Sequence, residues 1–408
     1  MSKKKKKEKK EKTQKTEAVK EEKPVQKKKK KPKRHIRWGI VLIMILILAG
    51  IAWLVTYPYR NDNKRLRDLG YSNETISVIR EKDLLDTILD NGYYSKSLEQ
   101  AINSGTLRKS YISLYTVITD RTPDETDFLL YRRLEDIGYE EDQLENLFAN
   151  LKPNEITPLL VFDYQWDDVS YVEDVIACRG SEFDLSSDYP QMFRIAKRTE
   201  DPGSVHALVN RTNYLSEYYA PNDIANISDE YSIGGSALRK EAADAAVRLI
   251  KAGQNAGVHF FISDSYWTYE DLQENYDSQS FYYTDYDMDI LFAKPGFNEH
   301  QTGLSMNVAP TFEQADTFLE TECYRWLREH AASYGFIERY PQDKTYITGR
   351  LPESSHWRYV GIATAVAVKQ SELTYDEFYC LYLKGWENPE LEPDQSILSE
   401  IDWYHISD

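Results

Sequence analysis

The chain contains the segment Phe297-Asn298-Glu299-His300-Gln301-Thr302-Gly303-Leu304-Ser305-Met306-Asn307 and, further on, Pro352-Glu353-Ser354-Ser355-His356-Trp357-Arg358-Tyr359. A hydrolytic zinc ion needs about three protein ligands, an open position for water, and a separate carboxylate that accepts a proton from that water. His300, Asn307 and His356 could be the three ligands, and Glu353 the carboxylate. Asn307 is the exception, because a neutral amide oxygen donates more weakly to a dication than a carboxylate does.

The residues around these segments predict an α+β domain. Leu304, Met306 and Val308 alternate with Ser305 and Asn307, which predicts a strand with both polar residues on one side. Further strands are predicted at 258–263 and 335–341, and helices at 236–256, at 315–334 and from His356 or soon after it. This order of elements favours helices packed on a small antiparallel sheet.

From about residue 205 to 370, the chain resembles the VanY-type D,D-carboxypeptidases, zinc enzymes that remove a terminal D-amino acid from peptidoglycan stem peptides. The matching segments include 208–215, 238–243, 299–304, 334–336, 339–341 and 358–361. In that family the His and Asp of Ser-x-His-x-x-Gly-x-Ala-x-Asp bind zinc, and a later Glu-x-x-His supplies the base and the third ligand. The resemblance implies a VanY-like zinc peptidase fold over residues 205–390.

By position, the resemblance assigns Zn²⁺ to His300, Asn307 and His356, with Glu353 as the catalytic base. It also implies that Trp267, Ser265 and Gln301 contact the substrate. Several positions depart from the family pattern: Asn298, Ser305 and Asn307 replace Ser, Ala and Asp, and Ser355 replaces Trp. Trp267 replaces an arginine that looks suited to the substrate carboxylate or the developing oxyanion.

Two functions follow as alternatives. The first is a zinc metallopeptidase, a carboxypeptidase that hydrolyses peptidoglycan stem peptides and faces the cell wall. The second is a catalytically weak or inactive pseudoenzyme whose cleft binds cell-wall peptides or partner proteins. Glu353 favours the first alternative, whereas Asn307 and Trp267 favour the second.

Charge is segregated along the chain. Residues 1–37 hold 19 Lys and Arg against 5 Asp and Glu, a net charge of +14. Because the whole chain has a net charge of −17, the other 371 residues carry −31. The lysine runs have no apolar periodicity and predict a disordered tail. A role for this tail in binding nucleic acid is the lesser alternative, because the commoner use of such a run beside a membrane span is to attract anionic lipid headgroups.

Residues 38–57 follow the tail with no charged side chain, which is long enough for a helix to cross a ~30 Å hydrocarbon layer. A cleaved signal peptide is the alternative, but its apolar segment would be shorter and followed by small residues. Trp53, Tyr57 and Tyr59 instead suit an aromatic belt. The lysine excess predicts a single-pass protein with a cytoplasmic N-terminus and extracytoplasmic C-terminal domains.

An internal repeat follows the predicted span. Leu66-Arg67-Asp68-Leu69-Gly70-Tyr71 returns as Leu134-Glu135-Asp136-Ile137-Gly138-Tyr139. Helical spacing follows each copy, which predicts an all-α repeat region over 61–164, interpreted as a spacer or, alternatively, as a docking surface. We expect a connecting segment at 165–204 and a C-terminal tail at 391–408.

Three further features have unremarkable interpretations. Cys178, Cys323 and Cys380 form no metal-binding pattern and allow at most one disulfide, so buried apolar roles are expected. His35, His206, His259, His330 and His405 are assigned to surface or packing positions. The aromatic and acidic residues within 281–289 form either a substrate groove or an exposed loop.

Overall fold

A computed structural model describes residues 38–162, 166–179, 196–284, 288, 291–311 and 317–385. The predicted tails at 1–37 and 391–408 lie outside these residues. The chain divides after Leu66 into two compact units, which are described separately.

Helix α1 spans Trp38–Leu69 and contains the predicted membrane segment. It is the one helix among the described residues that is long and apolar enough to cross a membrane. Its apolar side chains are exposed in the absence of lipid, including Leu42, Leu46 and Leu54. The helix continues 12 residues past the predicted end of the span at residue 57.

The predicted repeat region folds into short helices. They are α2 (Asn73–Glu81), α3 (Leu85–Asn91), α4 (Lys96–Ser104), α5 (Leu114–Val117), α6 (Glu125–Asp136), α7 (Glu141–Asn150), α8 (Pro153–Phe162) and α9 (Asp168–Cys178). Gly70 and Gly138, the repeated glycines, both have positive φ, which the chain requires where one helix ends and the next begins. Helix α9 lies in the segment expected to be a connection.

The helical region packs on the C-terminal part of the same compact unit. The Nε atom of Arg133 in α6 donates to the carbonyl of Leu381 at 3.2 Å. The hydroxyl of Thr157 in α8 donates to Glu377 Oε1 at 2.6 Å, and both side chains are buried. Buried polar groups therefore connect this region directly to the domain that follows, and its role as a spacer or docking surface stays a prediction.

That domain is built on a four-stranded antiparallel sheet. Its strands are β5 (Phe260–Asp264), β6 (Ser305–Pro310), β7 (Phe336–Tyr340) and β8 (Glu353–Tyr359). Two shorter strand pairs precede them, formed by β1 (Lys197–Arg198), β2 (Asn213–Tyr214), β3 (Ile224–Asn226) and β4 (Ala237–Arg239). The sheet has the order β5-β6-β8-β7, whereas β1 pairs with β2 in parallel and β3 pairs with β4 in antiparallel. The α+β class is confirmed.

Helices alternate with and follow these strands. They are α10 (Lys240–Asn255), α11 (Tyr269–Gln279), α12 (Glu322–His330), α13 (Thr345–Thr348), α14 (Ile362–Ser371) and α15 (Tyr375–Phe378), which continues into a π-helical turn at Tyr379–Leu383. Leu304, Met306 and Val308 of β6 are buried in the core beneath α10, whereas Ser305 and Asn307 lie on the opposite face. The predicted side for these two polar residues is confirmed.

Two predicted helices are wrong in part. The helix predicted from 236 begins at Lys240, because Ala237–Arg239 pairs with β3 as a strand. No helix begins at His356, because Glu353–Tyr359 lies between β6 and β7 and exchanges ladder hydrogen bonds with both. The apolar spacing of Tyr359 with Ile362 was read as helical, but Gly361, at φ 81°, separates the strand from the helix.

Candidate active site

His300 lies in a single 3₁₀ turn, Glu299–Thr302, immediately before β6. Asn298 begins this turn, because its side-chain oxygen accepts a hydrogen bond from the His300 amide at 2.9 Å. Gly303 ends the turn in the left-handed region at φ 66°, and a Cβ there would lie 2.8 Å from Ile224. The local sequence therefore fixes the direction in which the imidazole leaves the backbone.

His356 and Asn307 lie side by side on neighbouring strands of the sheet. They are Cα partners in the ladder between β6 and β8. The His356 ring lies 4.9 Å from that of His300, centroid to centroid, with the planes at 70°. Both imidazoles are buried, at 7% and 3% exposure for His300 and His356. The structure thus brings together all three residues predicted to bind metal.

Glu353 reaches the same place because β8 is irregular. Residues three apart on a regular strand point to opposite faces, so a regular β8 would separate Glu353 from His356. Between the pairs Glu338↔Trp357 and Tyr340↔Glu353, however, β8 advances by four residues while β7 advances by two. This bulge leaves Glu353 Oε2 3.8 Å from His356 Nδ1.

Asn307 donates a hydrogen bond to the predicted base. Its Nδ2 lies 2.6 Å from Glu353 Oε1 and 3.4 Å from the hydroxyl of Ser355. Burial raises the pKa of Glu353, but His356, Arg350 and the Asn307 amide lower it more, so the pKa lies below its ordinary value. Glu353 is therefore ionised at neutral pH and able to accept a proton.

The two histidines present nitrogen atoms toward acidic side chains. Burial and the neighbouring His356 lower the pKa of His300 below its ordinary value, so its imidazole is neutral at neutral pH. Its Nε2 lies 4.0 Å from Asp264 Oδ2. On the far side of the site, Nε2 of His356 lies 3.8 Å from Glu299 Oε2. For His356, Glu299 thus provides a carboxylate behind the outer nitrogen of the imidazole, which is the usual arrangement for a metal-binding histidine.

A buried ion network supports the site from below. Glu299 lies 2.9 Å from Arg339 Nε and 3.3 Å from Arg358 Nη1, and Arg339 also forms an ion pair with Asp376 at 2.5 Å. All four side chains have 0% exposure. Burial alone would raise the pKa of Glu299, but Arg339 and Arg358 hold it well below its usual range. Glu299 therefore remains an anion behind His356.

The three predicted substrate contacts have different surroundings. Gln301 is fully buried and its Nε2 donates to the carbonyls of Ser216 and Tyr219, at 3.0 and 3.1 Å. Ser265 is buried as well, and its hydroxyl accepts from the Ala237 amide at 3.0 Å. The structure gives both residues roles in holding nearby segments. Trp267 is partly exposed, so a substrate contact for it stays a prediction.

Sequence analysis missed Asp264 and the ion network as parts of the site. Asp264 directly precedes Ser265, a predicted substrate contact, but was not itself predicted to belong to the site. Glu299 and Arg339 were noted only within matching segments. Spacing gives no signal for them, because they come from separate elements that meet only when the sheet forms. The aromatic loop is described in part: Phe281 and Tyr282 are 89% and 80% exposed. Residues 285–287 and 289 lie outside the described residues.

The donor set fits a divalent cation through two imidazoles and an amide. Oδ1 of Asn307 is buried without a hydrogen-bond partner, as a ligand oxygen is before its cation binds. Among the described residues, however, no group of three or more His, Cys, Asp or Glu side chains is already arranged to hold a metal ion. A bound metal would therefore rely on Asn307 or on movement of a nearby carboxylate.

Comparison with known proteins agrees with this geometry. The sequence profile of the D-alanyl-D-alanine carboxypeptidase family VanY matches residues 235–362. The putative carboxypeptidase YodJ of Bacillus subtilis is 32% identical over 214 residues, which is 49% of this chain and 77% of YodJ. A D-alanyl-D-alanine carboxypeptidase of Enterococcus faecium is 33% identical over 187 residues, covering 43% of this chain and 57% of that protein.

Two solved structures are also similar. The LD-carboxypeptidase LdcB shares 31% identity, covering 45% of this chain and 89% of that one, with a TM-score of 0.42. The vancomycin resistance D,D-pentapeptidase VanY in complex with Zn(II) shares 32% identity over 43% of this chain and 98% of that one, with a TM-score of 0.35. A profile of the cell division protein CrgA matches residues 1–79.

The matching family profile and these relatives show a carboxypeptidase-like hydrolase domain. The chain belongs to the VanY-type D-alanyl-D-alanine carboxypeptidase family.

Proposed function

We propose that this protein is a membrane-anchored zinc carboxypeptidase that trims peptidoglycan stem peptides outside the cell. The observation that carries the proposal is the convergence of His300, Asn307 and His356 around the ionised Glu353 at one end of the sheet. These residues come from three separate elements, and titratable side chains with shifted pKa values that meet in one place are typical of functional sites.

His300, His356 and the Asn307 oxygen would hold the zinc ion. When bound, zinc supplies a Lewis acid that polarises the scissile carbonyl and makes water more acidic. Glu353 accepts a proton from the attacking water and passes it to the leaving amine. Asn307 holds one oxygen of Glu353 at 2.6 Å and so fixes its position. Glu299 orients His356 from behind.

The substrate is proposed to be a stem peptide that ends in a D-amino acid. Trp267 is partly exposed beside the site, but its indole N–H is used by Asp264 Oδ1 at 2.5 Å. It therefore offers the substrate an aromatic surface and not a positive charge.

The anchor is proposed to be α1, with the lysine-rich N-terminus in the cytoplasm and the peptidase domain outside. The apolar surface of Trp38–Leu69 and the excess of positive charge before it support this orientation. Anionic lipid headgroups would bind the lysine runs. This arrangement would place the active site next to the cell wall.

A second function is a binding protein with little turnover. It is favoured by the neutral Asn307, whose amide donates a hydrogen bond to the proposed base Glu353. It is also favoured by Trp267, which offers no positive charge and whose indole N–H is used by Asp264. Such a protein would use the same cleft to bind stem peptides without cleaving them.

The test uses the full chain purified in detergent. We expect about one zinc per chain and release of D-alanine from a pentapeptide stem. Glu353→Gln should lower that release by about 10²- to 10⁴-fold, because it removes the proton acceptor. Glu329→Gln, an exposed position on α12, is the control and should leave release unchanged.

Absence of both zinc and D-alanine release would exclude the enzyme and leave the binding function. Substantial release that Glu353→Gln abolishes would exclude the binding function. Asn307→Asp combined with Trp267→Arg separates the two further. A large gain in release would show that these two positions limit turnover.

A further inference from the structure

The proposed zinc site lacks a negative charge among its three ligands. Two neutral imidazoles and one amide leave the charge of the dication uncompensated, whereas zinc sites commonly include an anionic ligand. Glu353 does not fill this place, because one of its oxygens accepts from Asn307 at 2.6 Å and its proposed task is proton transfer. An additional carboxylate at the site would correct the imbalance.

Asp264 lies where such a carboxylate is needed. It ends β5 and is the Cα partner of Asn307 in the ladder with β6. The register shifts between Ile262 and Asp264, so that β5 contains one extra residue at this point. A bulge of this kind changes the direction of the side chain that follows it. As a result, Asp264 Oδ2 lies 4.0 Å from Nε2 of His300.

The two oxygens of Asp264 have different partners. Oδ1 accepts hydrogen bonds from the Ser265 amide at 2.8 Å and from the Trp267 indole at 2.5 Å. These bonds hold Oδ1, whereas Oδ2 is the oxygen that lies 4.0 Å from His300 Nε2. The side chain is 40% exposed, so it can move without disrupting the core.

The distance is close to that of two ligands on one ion. Ligand atoms bound to tetrahedral zinc at about 2.0–2.2 Å lie roughly 3.3 Å apart. The observed 4.0 Å between Oδ2 and Nε2 exceeds this by less than 1 Å. Rotation of an exposed side chain readily covers such a difference. Asp264 can therefore join the site on metal binding, although no group of three His, Cys, Asp or Glu side chains among the described residues is already arranged to hold a metal.

We propose that Asp264 supplies the negative charge to the zinc site that Asn307 cannot, so that the anionic ligand has moved from β6 to its ladder partner on β5. This inference rests on the proposed zinc function. Trp267 acts as a positioning residue, since its indole holds the other oxygen of the carboxylate.

The test measures zinc affinity of the full chain in detergent by competition with a chromogenic chelator, with no substrate present. Asp264→Asn keeps the size of the side chain and an oxygen for the indole bond. We expect it to weaken zinc binding by at least about 10²-fold, the upper end of the loss seen when a partner of a metal ligand is removed. Asp244→Asn removes one charge from the exposed face of α10 and should leave zinc affinity unchanged.

The double variant Asp264→Asn with Asn307→Asp returns the charge to β6 and should restore affinity to within about 10-fold of wild type, a difference of about 1.4 kcal/mol. A folded double variant that binds zinc as weakly as the single variant would overturn the exchange of charge between these positions. Thermal unfolding of each metal-free variant confirms that it is folded.

The outcomes separate this inference from the proposed function. If wild type binds zinc and Asp264→Asn binds it equally well, Asp264 is not a ligand, and the proposed peptidase is unaffected. If wild type binds no zinc in excess metal, both the inference and the zinc peptidase are wrong.

Discussion

The two polar regions of the peptidase domain, the buried ion network and the candidate site above it, treat their polar atoms in opposite ways. In the network, Glu299 and Asp376 are each paired with an arginine and have no exposed surface. In the site, Asn307 Oδ1 and one nitrogen of each histidine are buried without a hydrogen-bond partner. Unpaired buried polar atoms cost stability, and those of His300, Asn307 and His356 all lie where a ligand is proposed to bind.

The network and the site share Glu299. Its Oε1 serves the two arginines, whereas its Oε2 accepts from Ser305 at 3.2 Å and faces His356 at 3.8 Å. A single carboxylate thus connects the rigid interior with the unpaired residues above it. The position of His356 therefore depends, through Glu299, on charges that have no part in the proposed reaction.

The largest effect is expected from removing a charge from the network. Arg339→Met leaves Glu299 and Asp376 without their main partner and should lower the free energy of unfolding by about 3–5 kcal/mol. Chemical denaturation of the full chain in detergent would measure it. Arg328→Met, whose side chain is 63% exposed and lies 3.7 Å from Glu338, should change it by less than about 1 kcal/mol. Equal effects of the two changes would show that the network is not the rigid region.

A smaller effect on stability is expected at the site, and its size should depend on whether metal is bound. Asn307→Asp places a carboxylate oxygen where Nδ2 now donates to Glu353. Without metal, this change should destabilise the protein by about 1–3 kcal/mol, because a donor is replaced by a like charge. Added zinc should recover the loss, because the introduced carboxylate binds the dication more tightly than the amide of wild type does.

Thermal unfolding of Asn307→Asp in chelator and in zinc would test this prediction. Asn226→Asp, at an exposed position in β3, is the matched control and should respond to zinc as wild type does. A destabilisation that zinc leaves unchanged would mean that position 307 does not face the metal.

The smallest effect concerns pH at the edge of the network. Burial, followed by the charge of Arg358, lowers the pKa of His206, whose Nε2 lies 2.9 Å from the Thr364 hydroxyl. The unfolded imidazole therefore binds a proton at higher pH than the folded one. Stability from this group is present above its unfolded pKa of 6.5 and is lost as pH falls below that value toward the lowered folded pKa.

His206→Gln should accordingly flatten the decline in the free energy of unfolding between about pH 7 and pH 5. Denaturant titrations of both proteins across this interval would measure the change in slope. Parallel slopes would show that protonation of His206 does not differ between the folded and unfolded states.

Local signals were sufficient for much of the fold. Alternation in 304–308 predicted the buried and polar faces of β6, and helical spacing after each copy of the repeat predicted short helices there. The same reasoning failed for β8, where apolar residues at helical spacing crossed from a strand into α14. Spacing cannot show where an element changes type when a glycine allows the chain to turn between them.

The sequence by itself determined the family, the α+β class and the apolar span, and it predicted His300, Glu353 and His356 as site residues, because these depend on residue types at short, fixed separations. Only the tertiary structure decided that Asp264 stands opposite Asn307 and that Arg339 and Arg358 both pair with Glu299. The physical reason is that strand register and bulges bring together residues distant in the chain, and register is set by the packing of the whole sheet.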